Sequence, residues 1–477
     1  MVFLHATFSV MINGYHTSLL YIGWGSLVLR GKGLLIISMQ LCSIITAMNA
    51  SMFNIALPAI ADDLHMNAQQ ASWIVSTYSV CFAIGAMIYG SLANRFPAKN
   101  LMTAGLLVLL VGTIGALFSG SFITLMASRM LQALGITNIV ALNIVMVSRY
   151  FPPDRKGAVM ARVSSATALG FGLGPVLAGV VTDYLGWPWI FAIVLISVLT
   201  LPVFRYMLPS DQLSDKPVDF KGILLLCSGV IFLLAMVISF RFELIFGLLF
   251  FYWFWKHIHQ QRVTWVNPQL IKQKNYQFAL MTAFFVFFIN FTVIFTVSFL
   301  LAKVFGASAS EISYVIFPGV LCSALIAPFI GRWIDRRGPT EVMCLGAGLL
   351  VLTNTCFSSF GYLSVVLIGV LYFFFNFGFI LTSNGLANYM MIIADVKQLA
   401  GANSLMQLTS FVGSAAGVAL AGRIMHSSQP AFNILWRQAD GYFSNIFSML
   451  AVFSLFALVA TAFIYRASKR SEAFSPD

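Results

Sequence analysis

Apolar stretches of roughly 17–25 residues, the length an α-helix needs to cross a bilayer, follow one another with short links from Gly33 to Arg466. In lipid every backbone N–H and C=O must be satisfied within the chain, so a series of this kind folds as a bundle of spanning helices. Composition closes the soluble alternative. With 60% hydrophobic and 9% charged residues and a mean hydropathy of +0.90, a soluble domain would expose an untenable apolar surface. The fold class expected is an all-α membrane protein.

Fourteen spans can be read: 33–58, 70–91, 100–119, 122–148, 158–181, 187–208, 219–239, 242–256, 277–301, 312–331, 341–357, 362–386, 399–424 and 442–466. The net charge of +12 raises nucleic acid as a partner, but the positive residues are spread over the links and form no patch, so no nucleic-acid role is expected. Instead they mark sides. Arg95 and Lys99, Arg149, Arg155 and Lys156, Arg336 and Arg337, and Lys469 and Arg470 fall on one side, whereas the other holds only Arg241, Lys303, Arg423 and Arg437. The positive-inside rule then puts both termini in the cytoplasm. Cysteine tags near Asp154, Lys216 or Lys397 are expected to label only from the cytoplasm and tags near Asp62 only from outside; outside labelling near Lys216 would break the fourteen-span count. Residues 1–32 fit this scheme poorly. Their apolar run, Leu19 to Leu29, lacks a cleavage site and reads either as a surface-lying segment or as sequence upstream of the true start. The six cysteines show no C-x-x-C spacing and read as small buried hydrophobes.

None of the fifteen acidic residues falls in the middle of a span. An intramembrane carboxylate is costly and marks proton and ion pathways, and proton-driven transporters commonly carry one. Any proton coupling here lacks that familiar group.

The chain also repeats itself. Gly90-Ser-Leu-Ala-Asn94-Arg95 closes the second span, and Gly331-Arg-Trp-Ile-Asp335-Arg336-Arg337 closes the tenth. The two glycines lie 241 residues apart, about two helices more than six short-linked spans require. Two six-helix halves with an inserted pair follow, related as parallel repeats about an axis along the membrane normal. The expected organisation is an N-terminal extension, 1–32; a first half, 33–208; a two-helix insert with its links, 209–276; a second half, 277–466; and a tail, 467–477.

Several segments together resemble the major facilitator superfamily, in its fourteen-span drug:proton antiporter group and most closely the tetracycline exporters of Gram-positive type. They are Asn54-Ile-Ala-Leu-Pro58, Ile316-Phe-Pro-Gly319, Asp335-Arg-Arg-Gly-Pro339 and Asn403-Ser-Leu-Met-Gln-Leu-Thr-Ser-Phe411. The resemblance implies a major facilitator fold of two six-helix bundles plus two inserted helices, fourteen in all. It also implies a gating role for Gly90, Asn94, Arg95, Gly331, Asp335, Arg336 and Arg337. In the family the first of these links carries an Asp; here Asn94 stands in its place and Pro97 replaces a Gly, so the first-half lock is expected to be weaker. Arg129-x-x-Gln132-Ala-x-Gly135 resembles the family's Arg-x-x-Gln-Gly motif, and Gln132, one turn from Arg129 on the same helix face, argues for a polar cavity wall. Gly170, Gly174, Pro175 and Gly179 match a segment found chiefly in exporters, where close-set glycines let helices touch.

The departures matter as much. The family's membrane carboxylates in spans one and thirteen are absent, with Asn49 and Ala50 in the first and Val412-Gly-Ser-Ala-Ala416 in the other. Asn49, Asn290, Asn376 and Asn384 join Arg129 and Gln132 as candidates for the substrate and coupling cavity, though interhelical hydrogen bonding is the alternative for each asparagine. No phosphate-cradling loop is present, no embedded His–Asp pair or metal cluster can be read, and neither a cofactor nor a metal site is expected. The expected function is secondary active efflux of small molecules by alternating access in a bacterial inner membrane, as a monomer among lipids and with protons as the coupling partner. Likeness favours a drug-like cargo. The charge inventory favours an anionic or neutral metabolite such as a carboxylate siderophore. A transporter-like sensor that moves nothing is the reading from another class.

Overall fold

A computed structural model describes residues 2–93, 95–209, 221–222, 224–225, 227–229, 232, 243–260, 268–394, 399–426 and 441–473, with the side chains of residues 2–32 and a few others outside the description. The described residues are almost wholly helical. Helix α1 spans Val2–Asp63, α2 Ala68–Leu92, α3 Ala98–Leu117, α4 Phe122–Tyr150, α5 Pro153–Tyr184 and α6 Trp189–Met207, the last with a 3-10 segment at Ile196–Thr200. Next comes α7, Glu243–Gln260, and then α8 Lys274–Phe305, α9 Ala309–Arg337, α10 Pro339–Phe360, α11 Val365–Ile393, α12 Leu399–His426 and α13 Gly441–Ala473.

Local chemistry explains where these helices begin. Asn67, Ser121, Ser308 and Ser364 precede α2, α4, α9 and α11, and each side chain accepts the backbone N–H three residues on. At Asn67 and Ser308 the third residue, Gln70 or Glu311, bonds back to the cap, closing a capping box. Gly338, at φ +81° between α9 and α10, takes a backbone conformation that side chains disfavour, and Pro339 follows at a position where its missing N–H costs nothing.

Eleven of the described helices are long and apolar enough to cross a membrane: α1 from Gly33, α2–α6, α8 and α10–α13. Helix α9 adds a shorter apolar run, Ala309–Cys322, within its 29 residues. Twelve of the fourteen expected spans therefore coincide with one of these apolar helices. The expected span at 219–239 lies largely outside the described residues. The one at 242–256 is α7, which is not among the eleven; Glu243, Lys256, His257 and His259 dilute its apolar face. Phe232, from the preceding segment, stacks on Phe250 of α7 at 5.5 Å.

The helices pack as two copies of one arrangement. In the first half α1 lies against α5, α2 and α3 against α4, and α3 against α6; in the second, α8 lies against α12, α9 and α10 against α11, and α10 against α13. Across the halves α2 meets α12 and α5 meets α9, the two crossings a pseudo-twofold axis requires. A spacing of 241–243 residues relates equivalent positions, as for Gly90 and Gly331, Ala68 and Ala309, or the 29-residue helices α4 and α11. The largest apolar cluster runs through both halves, from Met52, Phe53 and Phe191 to Phe295, Phe299 and Phe375.

Candidate functional site

The halves are joined at the end of the bundle that carries Asp63, Asp183 and Ser308, the end that the positive-inside expectation turns outward. There α5 runs onto the start of α9. The first N–H groups of a helix have no partner within it, and here the donors of Ala309 and Ser310 go to the two carboxylate oxygens of Asp183, at 3.2 and 2.9 Å. Ser308 Oγ takes the N–H of Glu311. A carboxylate from one half thus completes a helix cap in the other, where the helix dipole favours negative charge. One turn further in, Ser313 Oγ donates to the Pro175 carbonyl at 2.5 Å. Gly179 makes this approach possible, since a Cβ there would lie 2.7 Å from Ser310 Cα and 2.9 Å from the Ala309 carbonyl oxygen. At the related crossing Gly422 of α12 packs on Ser72 and Ala68 of α2, Ser76 Oγ donates to the Ala415 carbonyl at 2.8 Å, and the rings of Phe82 and Phe411 meet tilted, their centroids 4.5 Å apart. Where α5 carries Asp183, α12 carries His426, so among the described residues only the α5–α9 crossing has a carboxylate.

Asp183→Asn keeps the shape of this cap and removes its charge. Opening of the outer end should become easier by about 0.3–1 kcal/mol. Thiol-labelling rates at a cysteine introduced beside Ser310 would register this as a two- to fivefold increase; an unchanged rate would show that the carboxylate does not hold the seal.

The remaining residues of the expected exporter segment act inside the first half. A Cβ on Gly170 would lie 2.3 Å from the Ile44 carbonyl, and one on Gly174 would strike Ser51, so α5 lies directly on α1. The second half does the same with Gly413 and Gly417 of α12 on Phe284 and Phe288 of α8. These glycines sit at the same 243-residue spacing, a repeat signal carried by the sequence itself. The pattern is a helix-packing device of both halves.

The second feature is Arg129 on α4. It is 1% exposed, and among the described residues no Asp or Glu is buried. Its guanidinium lies between the rings of Phe53 of α1 and Tyr78 of α2, with Cζ 4.1 and 4.0 Å from their centroids, and Phe191 of α6 at 6.0 Å. Nη1 donates to Asn49 Oδ1 at 3.0 Å and to Gln132 Oε1. The amides are held in turn: Gln132 Nε2 donates to Thr113 Oγ1 and Asn49 Nδ2 to the Tyr78 hydroxyl, each at 3.1 Å. Removing an ion from water costs several kcal/mol. Desolvated cation–π contacts return about 2 kcal/mol each and hydrogen bonds to a charged group about 1.5–3 kcal/mol, so π faces and neutral amides together offset a charge that no carboxylate balances. Sequence reasoning found Arg129, Asn49 and Gln132 but not Phe53, Tyr78, Phe191 or Thr113. The available signal was indirect: with no acid in any span, an embedded Arg has only dipoles and rings to stabilise it.

The sequence model of the Major Facilitator Superfamily matches residues 39–418 and 279–477. The chain belongs to the major facilitator superfamily. Among curated members, the Riboflavin transporter RibZ of Clostridioides difficile (strain 630) is 25% identical over 350 residues, covering 72% of this chain and 74% of that one. The "Putative multidrug resistance protein MdtD" of Pectobacterium carotovorum subsp. carotovorum (strain PC1) is 24% identical over 434 residues, covering 87% and 92%. The crystal structure of a peptide transporter, POT, in complex with sulfate superposes with a TM-score of 0.66 over 91% of this chain and 95% of that one, at 19% identity, a likeness of fold. The protein is accordingly a multi-pass membrane transporter of the superfamily and not an enzyme.

Within this superfamily member the other expected site residues are dispersed. Asn290, Asn376 and Asn384 lie in the second half, on α8 and α11, and no hydrogen bond joins them to Arg129. Asn290 is the repeat counterpart of Asn49, but the counterpart of Arg129 is Tyr372 and that of Tyr78 is Gly319, whose missing side chain leaves room for the Tyr372 ring. Among the described residues the cation site therefore occurs in the first half alone. Of the gating links, Asn94 lies outside the described residues. Gly90 and Gly331 have open space around them, Arg95, Asp335 and Arg336 are exposed, and Arg337 pairs with Glu341 at 2.9 Å. Asp335 forms no ion pair among the described residues. At the same end Arg149 Nη2 donates to the Ala93 carbonyl at 2.7 Å, tying the end of α4 to the end of α2.

Proposed function

We propose that this protein is a secondary active exporter of small drug-like organic molecules, working by alternating access between its two halves with protons moving the opposite way. The observation that carries the reading is the pair of crossings at the outer end. Each rests a glycine on a serine-bearing helix start, at Gly179 and Gly422, so at these two points the halves meet through small side chains and backbone. A rocking cycle needs a seal of this kind. The relatives named for multidrug resistance and for riboflavin transport support small organic molecules as the cargo class, and the likeness of the Gly170–Gly179 segment to exporters supports the direction.

Inside-out vesicles test it. With an imposed proton gradient, vesicles holding the protein should accumulate a fluorescent organic substrate and discharge the gradient as they do so. Accumulation with the gradient intact would remove the proton from the cycle, and accumulation only in right-side-out vesicles would reverse the direction. A protein that binds such compounds and moves none of them would be a sensor.

A further inference from the structure

Arg129 has donors to spare. Both of its hydrogen bonds leave from Nη1, to Asn49 and Gln132. Nε is buried with no partner, and Nη2 donates to no described residue. The two faces of the guanidinium are covered by Phe53 and Tyr78, and the donors left without a partner share one edge, the pair of parallel N–H groups on Nε and Nη2. That edge is the half of the guanidinium fork that matches a carboxylate with two parallel N–H···O bonds. A buried, hydrogen-bonding cation left half-used is a costly arrangement for a membrane interior, and it is explained if a ligand completes it.

We infer that the Nε–Nη2 edge of Arg129 receives the carboxylate of an organic monocarboxylate cargo, the anion lying in the plane of the guanidinium. The inference rests on the reading that the bundle binds a small-molecule cargo, and it names the chemical class. Planarity selects the anion. Phe53 and Tyr78 stand on either side of the guanidinium, so a flat carboxylate continues its plane without turning oxygens toward the rings. A tetrahedral oxyanion would direct some of its oxygens out of that plane, toward π faces that carry negative potential. Charge balance points the same way. The described residues bury one arginine and no acid, so a carboxylate neutralises the site, whereas an organic cation would meet a like charge. Access has a structural route as well. Tyr78 belongs to α2, whose Phe82 ring contacts Phe411 of the opposite half, so parting of the halves shifts the helix that supplies one face of the cage. A carboxylic cargo also carries a titratable group of its own. A proton taken up by the cargo would dissolve the pair with Arg129 without any carboxylate in the spans.

The test is equilibrium binding to the full-length protein in lipid nanodiscs, with no gradient, using three matched probes: 2-naphthoate, 2-naphthamide and naphthalene-2-sulfonate. The wild type should bind the carboxylate about tenfold or more tightly than the amide, the order of a charge-assisted bidentate pair over a neutral one, with the sulfonate weaker than the carboxylate. Arg129→Gln should lose the preference for the acid while keeping the helical content and monodisperse elution of the wild type, which report intact folding. Arg129→Lys, which keeps charge without the fork, should retain a reduced preference. Equal binding of acid and amide by the wild type, no binding of 2-naphthoate, or an undiminished preference in Arg129→Gln would each overturn the inference. Because binding is read without transport, the two readings fail separately. Efflux with no carboxylate preference leaves the exporter standing without this site, and carboxylate binding without efflux does the opposite.

Discussion

Gly179→Val should leave the protein inserted and folded yet unable to close its outer end, and transport should fall by roughly 10- to 100-fold. The new side chain meets backbone, with Ser310 Cα and the Ala309 carbonyl both within 3 Å of where its Cβ must sit. Backbone cannot rotate away as a side chain can, so relief requires α5 and α9 to separate. Overpacking of this kind costs about 1–3 kcal/mol, and a penalty borne only by the closed state shifts the closed-to-open ratio by one to two powers of ten. Distance measurements between spin labels on α5 and α9 should show the outer end held apart. Gly172→Ala is the matched control on the same helix, where a Cβ meets nothing within 4 Å, and it should transport normally. Normal transport by Gly179→Val, with α5 and α9 still in contact, would show that this crossing does not limit the cycle.

The second large effect is expected at Arg129, with stability and activity moving apart. Replacing a buried charge that no carboxylate balances with an apolar residue of similar length removes a desolvation cost of roughly several kcal/mol, of the order of the two hydrogen bonds given up to Asn49 and Gln132. Arg129→Met should therefore melt at the same temperature as the wild type or higher, while losing transport altogether. Thermal unfolding in detergent and uptake into vesicles, run on the same preparation, separate the two. A variant that unfolds early would show that the arginine holds α1, α2 and α4 together through its contacts with Asn49, Phe53 and Tyr78. A variant that transports normally would remove Arg129 from the mechanism.

What could be read in the sequence follows from range. The spans were legible because each is a local run of apolar residues, and the repeat because Gly90 and Gly331 close helices with the same local pattern. Gln132 beside Arg129 was legible because one helical turn separates them. The rest of the cage was not. Phe53 and Tyr78 reach Arg129 from two other helices, and which of the chain's 45 phenylalanines and 15 tyrosines does so depends on how each helix is rotated in the bundle. Asn290, Asn376 and Asn384 show the reverse error. As polar residues within spans they read like Asn49, yet their half of the repeat has a tyrosine where the arginine would be. Asp183 looked like one more acid at a helix end. Nothing local to it announces that the neighbouring helix start belongs to the other half.

That last contact has a further consequence for how such a seal can vary among homologues. The groups that Asp183 holds are main-chain amides, of Ala309 and Ser310, and every residue except proline supplies the same N–H. Substitutions at those two positions leave the cap's donors in place, so selection on the seal acts on one side of the contact alone. Correlated-substitution analysis, which finds contacts by paired changes, has no pair to detect here: a carboxylate that links the two halves would register as an isolated preference at one site. Proline is the exception that exposes it. Ala309 occupies the first position of its helix, where proline is tolerated, so Ala309→Pro would delete one donor while sparing the helix and would turn an unseen partnership into a measurable one.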